Sequence, residues 1–199
     1  MSKAYKHIYF VGIGGIGMSA LARYFNAQGL IIAGYDKTPS DITKGLEDLG
    51  ISVTFNDAID AIPNNFKNRE KTIVVYTPAI PKDNLQFQYF IQNGYQVSKR
   101  STVLGEITHN TICFAVAGTH GKTTTTSILG HLLYQSNVPV TAFLGGVSEN
   151  YDTNFISSGT NLSVVEADEF DRSFLTLSPD FACITSMDAD HLDIYGDAK

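Results

Sequence analysis

Residues 118–124 have the composition of a loop that binds phosphate groups. Glycines in such a loop let successive backbone N–H groups converge on phosphate oxygens, and a helix that begins there adds the positive end of its dipole. Lys122 would contribute a mobile positive charge, and Thr123 would contribute a hydroxyl group for Mg²⁺. The sequence therefore predicts a binding site for ATP or GTP. The residues expected to face the phosphates are Gly118, Thr119, His120, Gly121, Lys122, Thr123 and Thr124.

The loop is a shortened variant of the common pattern G-x-x-x-x-G-K-[ST], because Val116 stands where that pattern has its first glycine. The apolar residues 112–117 before the loop fit a strand that is buried on both faces, and apolar residues recur with helical spacing over residues 128–133. The alternative is a glycine-rich turn with a surface lysine. The order of strand, loop and helix is the one that phosphate binding requires, and it favours the phosphate site.

A second glycine motif, G-x-G-x-x-G, follows the apolar residues 7–11 and precedes a segment with helical periodicity. Glycines at this spacing permit a tight turn, close approach of a diphosphate and close packing of a helix on a strand. A second predicted strand, residues 30–35, leads to Asp36, where this fingerprint places a carboxylate for a ribose hydroxyl. The motif predicts a site for a diphosphate nucleotide without specifying NAD. Its candidate residues are Gly12, Gly14, Gly15, Ile16, Gly17 and Asp36.

Two further candidates for this site follow later predicted strands of the first half. Thr77 follows strand 72–76 and begins a proline-bounded turn at the carboxyl edge of the predicted sheet, where open parallel sheets bind their ligands. Ordinary turn chemistry is the alternative for Thr77. Arg100 follows strand 95–97, and its charge would either meet a diphosphate or be solvated.

Acidic side chains follow the predicted strands of the second half. Glu166 ends the apolar strand 162–166 and is placed to ligate Mg²⁺ directly or through water, with a solvated acidic turn as the alternative. His191 lies among carboxylates after strand 181–185, and it is a candidate metal or phosphate contact or else a structural histidine. The predicted metal ligands are therefore Thr123, Glu166 and His191.

Strands and helices must alternate along the chain to position these residues. A capped helix at 39–50 followed by a strand at 51–55 is one example, and the whole pattern predicts an α/β fold with parallel sheets. The pattern restarts near residue 110, which predicts one domain over residues 1–110 and another over residues 111–199. The polar residues 148–160 are expected to form a loop over the phosphate site.

Composition restricts the class of protein. The 199 residues have 43% hydrophobic residues and a net charge of −6, which is typical of an ordered globular protein. No apolar run approaches the roughly 18 residues of a membrane span, and no signal-peptide core follows the N-terminus, so we expect a cytoplasmic protein without a membrane partner. Residues 101–199 carry 3 basic and 12 acidic side chains. That balance argues against a nucleic-acid partner and suits a site where carboxylates hold Mg²⁺.

Four motifs in this order resemble the Mur ligases, and together they extend over the whole chain. The chain is identified on them as a member of that family. The motifs are Val11-Gly-Ile-Gly-Gly-Ile-Gly-Met18, Gly118-Thr-His-Gly-Lys-Thr-Thr124, Glu166-Ala-Asp-Glu-Phe-Asp-Arg-Ser173 and Asp190-His-Leu-Asp193. The resemblance implies a Rossmann-like N-terminal domain that binds a UDP-linked substrate, then the first part of a central ATPase domain that contains the phosphate loop. It also implies a C-terminal domain that this chain does not include.

The resemblance further implies an ATP-dependent ligase of peptidoglycan synthesis. Its substrates would be UDP-N-acetylmuramic acid and L-alanine, its cofactors ATP and Mg²⁺, and its intermediate an acyl phosphate. Residues 14–17 would face the UDP diphosphate, with Asp36, Thr77 and Arg100 nearby. Lys122, Glu166 and His191 would act in catalysis. As an incomplete ligase, the chain is not expected to turn over alone.

Two alternatives from other functional classes remain open at this stage. An NAD-dependent oxidoreductase would explain residues 8–36, but it would leave the phosphate loop and the acidic strand ends without a role. A non-catalytic module that binds UDP-sugar or nucleotide on a Mur-like fold would explain all of the motifs. Preferential binding of reduced NAD would favour the first alternative, whereas UDP-sugar binding without ligase activity would favour the second.

Overall fold

The computed structural model describes residues 5–189 and divides between Val103 and Leu104 into two compact units. Each unit is built around a five-stranded sheet. The predicted α/β fold with parallel sheets is confirmed, since seven of the eight strand pairings among residues 5–189 are parallel. Within the described residues, no helix combines the length and the apolar character needed to cross a membrane.

The first unit has an entirely parallel sheet with the strand order β3-β2-β1-β4-β5. β1 lies at its centre and pairs with both β2 and β4, so the chain changes direction across the sheet at β1. Open parallel sheets bind ligands in the crevice at such a point. The strands are β1 (His7–Val11), β2 (Ile31–Tyr35), β3 (Ser52–Thr54), β4 (Thr72–Tyr76) and β5 (Gln96–Lys99).

Helices connect these strands at the predicted places. α1 (Ile16–Ala27) follows the glycine motif, and α3 (Leu85–Gln92) follows the turn after β4. α2 (Asp41–Glu47) is shorter than predicted at both ends. It begins after a capping box, in which the Ser40 side chain accepts a hydrogen bond from the Thr43 N–H. α4 (Arg100–His109) crosses the division between the two units. Short 3₁₀ turns lie at Ile59–Ala61 and Asn64–Phe66.

The core of the first unit explains the apolar pattern of β1. Tyr9 and Val11 are fully buried, and Tyr9 contacts the rings of Phe66 and Phe90 at centroid distances of 5.6 and 5.0 Å. The Tyr9 hydroxyl group donates a 2.7 Å hydrogen bond to the buried Gln86 side chain. A strand that is covered on both faces shows a continuous apolar run, as the sequence predicted.

The second unit has the strand order β10-β6-β9-β7-β8. β6 and β9 are neighbours in the middle, and Val116 of β6 pairs with Glu166 of β9, so the phosphate loop and the acidic strand end emerge at the same edge. The helix α5 (Lys122–Gln135) begins directly at the loop lysine. The strands are β6 (Ile112–Ala117), β7 (Val140–Ser148), β8 (Thr153–Ser157), β9 (Leu162–Glu166) and β10 (Phe181–Ile184), and a 3₁₀ turn spans Phe170–Thr176.

The prediction of a loop over residues 148–160 is wrong. Residues Thr153–Ser157 form β8, which pairs antiparallel with β7 as the edge of the sheet. Alternate residues of β8 are buried, namely Asn154 and Ile156. The other face carries Thr153, Phe155 and Ser157, and the buried position 154 is polar, so the composition of the strand resembled that of a loop. Only two of its five residues are apolar, which hid the period of two that a half-buried strand shows.

Candidate functional site

The phosphate loop connects β6 to α5 and depends on two glycines with positive φ. Gly118 has φ +127° and Gly121 has φ +82°, which is a region that side chains other than glycine rarely adopt. Gly121 is also the residue directly before the first turn of α5, so the loop lies at the N-terminus of this helix, which is the positive end of its dipole. The predicted geometry of strand, loop and helix is present.

Lys122 is held against the loop by two hydrogen bonds. Its Nζ donates to the Gly118 carbonyl oxygen at 2.6 Å and to the Glu169 Oε1 at 2.7 Å. Both charged side chains are mostly buried, with exposed fractions of 15% for Lys122 and 24% for Glu169. The ammonium group therefore lies at the loop, where a phosphate would have to compete with Glu169 for it. Sequence reasoning did not assign a role to Glu169, although it lies in the acidic segment after β9.

The two described residues that were predicted to hold Mg²⁺ are in contact. Thr123 Oγ1 donates to Glu166 Oε2 at 3.2 Å, and the Gly145 N–H donates to Glu166 Oε1 at 2.7 Å. Burial raises the pKa of the Glu166 carboxyl group, while the bonds from Gly145 and Thr123 and the charge of Lys122 act in the opposite direction. A half-buried carboxylate beside a hydroxyl group offers the hard oxygen ligands that Mg²⁺ prefers. These residues therefore fit the metal.

The third predicted metal ligand, His191, lies outside the described residues, as do Asp190 and Asp193. Across residues 5–189, no group of three or more histidine, cysteine, aspartate or glutamate side chains is arranged to hold a metal ion. Thr123 and Glu166 are thus the part of the predicted metal site that the structure brings together. The role of His191 stays a prediction.

The segment after β10 is bonded to the phosphate loop, a relationship that sequence reasoning missed. The Thr119 N–H donates to the Ser186 carbonyl oxygen at 3.2 Å, and the His120 N–H donates to Ser186 Oγ at 2.9 Å. Thr185 Oγ1 donates to the Ala117 and His120 carbonyl oxygens. The loop amides at 119 and 120 therefore already have partners. The only sequence signal for this contact is that β10, like β6, ends in a polar segment at the same edge.

The glycine motif of the first unit lines a cleft of about 650 Å³ at the carboxyl edge of its sheet. Five of the eight residues predicted for this site line the cleft, namely Gly12, Gly14, Gly15, Asp36 and Thr77. The remaining lining residues are Tyr35, Lys37, Thr38, Ser40, Asp57, Ala79, Ile80, Pro81, Asp83 and Asn84. Most of them follow the ends of β2, β3 and β4, so strand ends were the signal that could have found them.

Asp36 is bonded to the glycine motif. Its Oδ2 accepts a 2.7 Å hydrogen bond from the Gly14 N–H, and its Oδ1 accepts a 3.4 Å bond from the Thr38 N–H. The carboxylate thus orders the turn that carries the motif as well as lining the cleft. With Asp57 and Asp83 also in the lining and Lys37 its only lysine, the cleft has an acidic balance. That balance suits hydroxyl groups of a ribose better than a diphosphate.

Ile16, Gly17 and Arg100 lie outside the lining of the cleft. Ile16 and Gly17 form the start of α1, and Arg100 is the first residue of α4. The Arg100 guanidinium lies against Gly17, since a Cβ added at Gly17 would be 2.8 Å from Arg100 Nη1. A guanidinium at the positive end of a helix dipole is a favourable place for an anion. These three residues therefore form a separate, positively charged part of the first unit's candidate site.

Two family models match the chain, one after the other. The model described as Mur ligase family, catalytic domain matches residues 7–111, and the Mur ligase middle domain matches residues 116–199. The chain belongs to the Mur ligase family. Together the two matches include both glycine motifs and the acidic end of β9, so the resemblance inferred from the four motifs is confirmed.

Named relatives agree with this assignment. The chain is 61% identical over 191 residues to the UDP-N-acetylmuramate--L-alanine ligase of Flavobacterium psychrophilum, covering 96% of this chain and 42% of the relative. It is 56% identical over 195 residues to the ligase of the same name from Porphyromonas gingivalis, covering 98% of this chain and 43% of the relative. The chain therefore spans less than half the length of these relatives.

Solved structures show the same architecture. The UDP-N-acetylmuramate-alanine ligase of Thermotoga maritima matches with a TM-score of 0.82 and 30% identity, over 96% of this chain and 44% of that one. The UDP-N-acetylmuramate:L-alanyl-gamma-D-glutamyl-meso-diaminopimelate ligase of Neisseria meningitides matches with a TM-score of 0.85 and 28% identity, over 98% and 64%. The fold of this chain is thus that of the corresponding parts of Mur ligases.

Proposed function

We propose that this chain is the nucleotide-binding part of an ATP-dependent ligase that joins L-alanine to UDP-N-acetylmuramic acid in peptidoglycan synthesis. The observation that carries the proposal is the convergence of Lys122, Thr123 and Glu166 at the neighbouring ends of β6 and β9. The identity of 61% to a ligase of that name supports the choice of substrates. The relatives are more than twice as long as this chain, so turnover is to be assayed in the full-length protein.

The first domain, for which we propose residues 1–110, binds the UDP part of the substrate. The cleft lined by Asp36 and Thr77 takes the nucleoside, and the start of α1 with Arg100 takes the diphosphate. This division follows from charge, because the cleft carries three carboxylates while Arg100 supplies a cation at the positive end of a helix. The proposed UDP-substrate residues remain Gly12, Gly14, Gly15, Ile16, Gly17, Asp36, Thr77 and Arg100.

The second domain, for which we propose residues 111–199 as its first part, binds ATP with Mg²⁺. Lys122 would contact the β- and γ-phosphates after leaving Glu169, and the loop of residues 118–124 would surround them. Thr123 and Glu166 would hold the metal, with His191 as the proposed third residue. Mg²⁺ bound there would supply neutralisation of phosphate charge. A C-terminal domain outside this chain would complete the ligase.

The reaction requires positioning and charge neutralisation more than a nucleophile from the protein. An oxygen of the lactoyl carboxylate attacks the γ-phosphorus of ATP, an O–P bond forms, and the bond to ADP breaks. The amine of L-alanine then attacks the carbonyl carbon of the acyl phosphate. The amide bond forms, orthophosphate leaves, and the amine loses a proton. Lys122 would hold charge on the γ-phosphate during the first step. We place the reaction in the cytoplasm, in agreement with two free cysteines.

Calorimetric titration of this chain with UDP-N-acetylmuramic acid, MgATP and NADH tests the proposal. Saturable binding of the UDP-sugar and of MgATP, without binding of NADH, is expected. Binding of NADH in place of the UDP-sugar would overturn the proposal in favour of an oxidoreductase. UDP-sugar binding by a full-length protein that forms no amide bond would instead indicate the non-catalytic module.

A further inference from the structure

Glu166 is fixed by contacts to both of its carboxylate oxygens. The Gly145 N–H donates to Oε1 at 2.7 Å, and Thr123 Oγ1 donates to Oε2 at 3.2 Å. Gly145 belongs to β7 and Thr123 to α5, so two different elements act on a side chain of β9. Two bonds on different oxygens restrict rotation of the carboxylate plane, whereas either bond alone would leave it free to turn.

A side chain at Gly145 would displace the Glu166 carboxylate from its place. A Cβ added there would lie 2.5 Å from Glu166 Oε1 and 2.6 Å from its Cδ, which is closer than real Cβ atoms approach other atoms. Gly145 is not among the residues with positive φ, so its backbone conformation does not require glycine. Glycine at this position leaves the space that the Glu166 carboxylate fills.

The strand is irregular at this glycine. The pairing of β7 with β8 shifts register between Phe143 and Ser148, and Gly145 lies inside that irregular stretch. Its N–H donates to the Glu166 side chain. Irregularities of this kind direct individual groups toward sites at the ends of strands.

The hydrogen bond from the Gly145 amide also keeps Glu166 away from an alternative partner, Lys122. Lys122 is close enough for its charge to act on the Glu166 carboxyl group, although its ammonium group is bonded to Glu169. A Glu166 side chain that lost its amide partner would be attracted toward this ammonium group. Such a shift would remove the carboxylate from Thr123.

We propose that Gly145 is a positioning residue that holds the Glu166 carboxylate beside Thr123 for Mg²⁺. It acts in two ways, by donating its N–H to Oε1 and by leaving the space that the carboxylate fills. The proposal rests on the proposed function, because it assumes that Glu166 is a metal ligand. Hydrogen-bond partners of metal ligands are typically worth about 10–100-fold in metal affinity.

The neighbouring glycine provides a matched control. A Cβ added at Gly146 would lie 3.5 Å from its nearest neighbour, Thr123 Cγ2, which is an ordinary van der Waals distance. Gly145→Ala and Gly146→Ala therefore add the same methyl group at adjacent positions of one strand. Only the first places it against the Glu166 carboxylate.

The first measurement is calorimetry of ATP binding to this chain with Mg²⁺ and with EDTA. Gly145→Ala is expected to reduce the Mg²⁺-dependent gain in ATP affinity by about tenfold or more and to leave binding in EDTA nearly unchanged. Gly146→Ala is expected to retain the gain. Equal gains in the two variants, or an equal loss for Gly145→Ala with and without the metal, would overturn the positioning role. Absence of any Mg²⁺-dependent gain in the unsubstituted chain would overturn the proposed function itself.

The second measurement needs neither metal nor nucleotide and covers the case that Gly145→Ala unfolds the chain. Denaturant unfolding is compared for Gly145→Ala, Glu166→Ala and the double variant. Because the three atoms nearest to the added methyl group all belong to the Glu166 carboxylate, the destabilisation by Gly145→Ala should largely disappear when Glu166 is already alanine. Persistence of the same destabilisation in the Glu166→Ala background would show that Gly145 acts on something other than Glu166 and would overturn the proposal.

Discussion

Lys122 and Glu169 form a mostly buried ion pair of 2.7 Å at the phosphate loop. Glu169 therefore binds the ammonium group that the proposed function assigns to ATP phosphates. ATP binding must therefore exchange one anionic partner of Lys122 for another. Two predictions follow from that exchange, one for each side chain.

Lys122→Ala in the full-length protein is expected to abolish ligase turnover and to weaken MgATP binding strongly, since the loop loses its only lysine. Binding of UDP-N-acetylmuramic acid should stay within about twofold, because the residues proposed for that substrate lie in the first unit. A coupled assay for ADP measures turnover, and calorimetry measures binding of the UDP-linked substrate. Retained turnover would refute the assignment of the loop.

Glu169→Gln is expected to tighten ATP binding by about fivefold or more, because Lys122 no longer has to leave an anionic partner and even solvent-exposed ion pairs contribute up to about 1 kcal/mol. Calorimetric titration with MgATP measures the change. The exposed Glu149 offers the control substitution Glu149→Gln, which should leave the affinity unchanged. Weaker binding by Glu169→Gln would mean that Glu169 supports the nucleotide site instead of competing with it.

The half-buried Glu166 carboxyl group predicts a dependence of stability on pH. Its folded-state pKa is raised above the ordinary 4.5, chiefly by burial, so the folded chain keeps this proton at pH values where the unfolded chain has lost it. The free energy of unfolding should therefore decrease as pH rises from 4.5 through the raised pKa. Glu166→Gln cannot ionise and should remove this part of the decrease.

Denaturant unfolding in EDTA between about pH 4 and about pH 8 measures this effect. Relative to the unsubstituted chain, Glu166→Gln should gain stability at the upper end and show little difference at the lower end. For Glu149→Gln, which changes an exposed carboxylate, the free energy of unfolding should depend on pH in the same way as for the unsubstituted chain. A gain for Glu166→Gln that was the same at every pH would rule out ionisation of Glu166 as its cause.

Asp36→Ala is expected to weaken binding of the UDP-sugar by roughly tenfold, because the Gly14 N–H loses its 2.7 Å partner and a lost charge-assisted hydrogen bond costs about 1.5–3 kcal/mol. Asp36→Asn retains a hydrogen-bond acceptor, and its affinity for the UDP-sugar should lie between those of Asp36→Ala and the unsubstituted chain. Calorimetry with UDP-N-acetylmuramic acid checks the order, and MgATP binding by the second unit should not change. Asp48→Ala, at an exposed position after α2, is the control.

Gln86→Ala is expected to destabilise the first unit by roughly 2–4 kcal/mol. The fully buried Gln86 side chain accepts from the Tyr9 hydroxyl group at 2.7 Å and donates to the Asn56 and Ala58 carbonyl oxygens at 3.0 and 3.1 Å. Its removal leaves these groups with fewer partners. Gln92→Ala, at an exposed position of the same helix, should stay within about 0.5 kcal/mol in denaturant unfolding.

Local sequence signals were sufficient for most of the fold. The bounds of β1, β4, β6 and β9 agree with the predicted residues, because buried parallel strands are continuous apolar runs. β8 was missed, since an edge strand with mostly polar residues lacks that pattern. The helix starts that follow the two glycine motifs were also predicted, since glycine at these turns is a local requirement of the backbone.

The candidate site divides in the same way. The sequence by itself determined the phosphate loop, the glycine motif and the strand that carries Glu166, because each is a short run whose residue types and order have a direct chemical meaning. Only the tertiary structure decided that Glu169 pairs with Lys122 over 47 positions and that Gly145 bonds Glu166 over 21 positions. These contacts depend on which strand ends lie side by side. Strand order is set by packing of the whole sheet, and no local pattern encodes it.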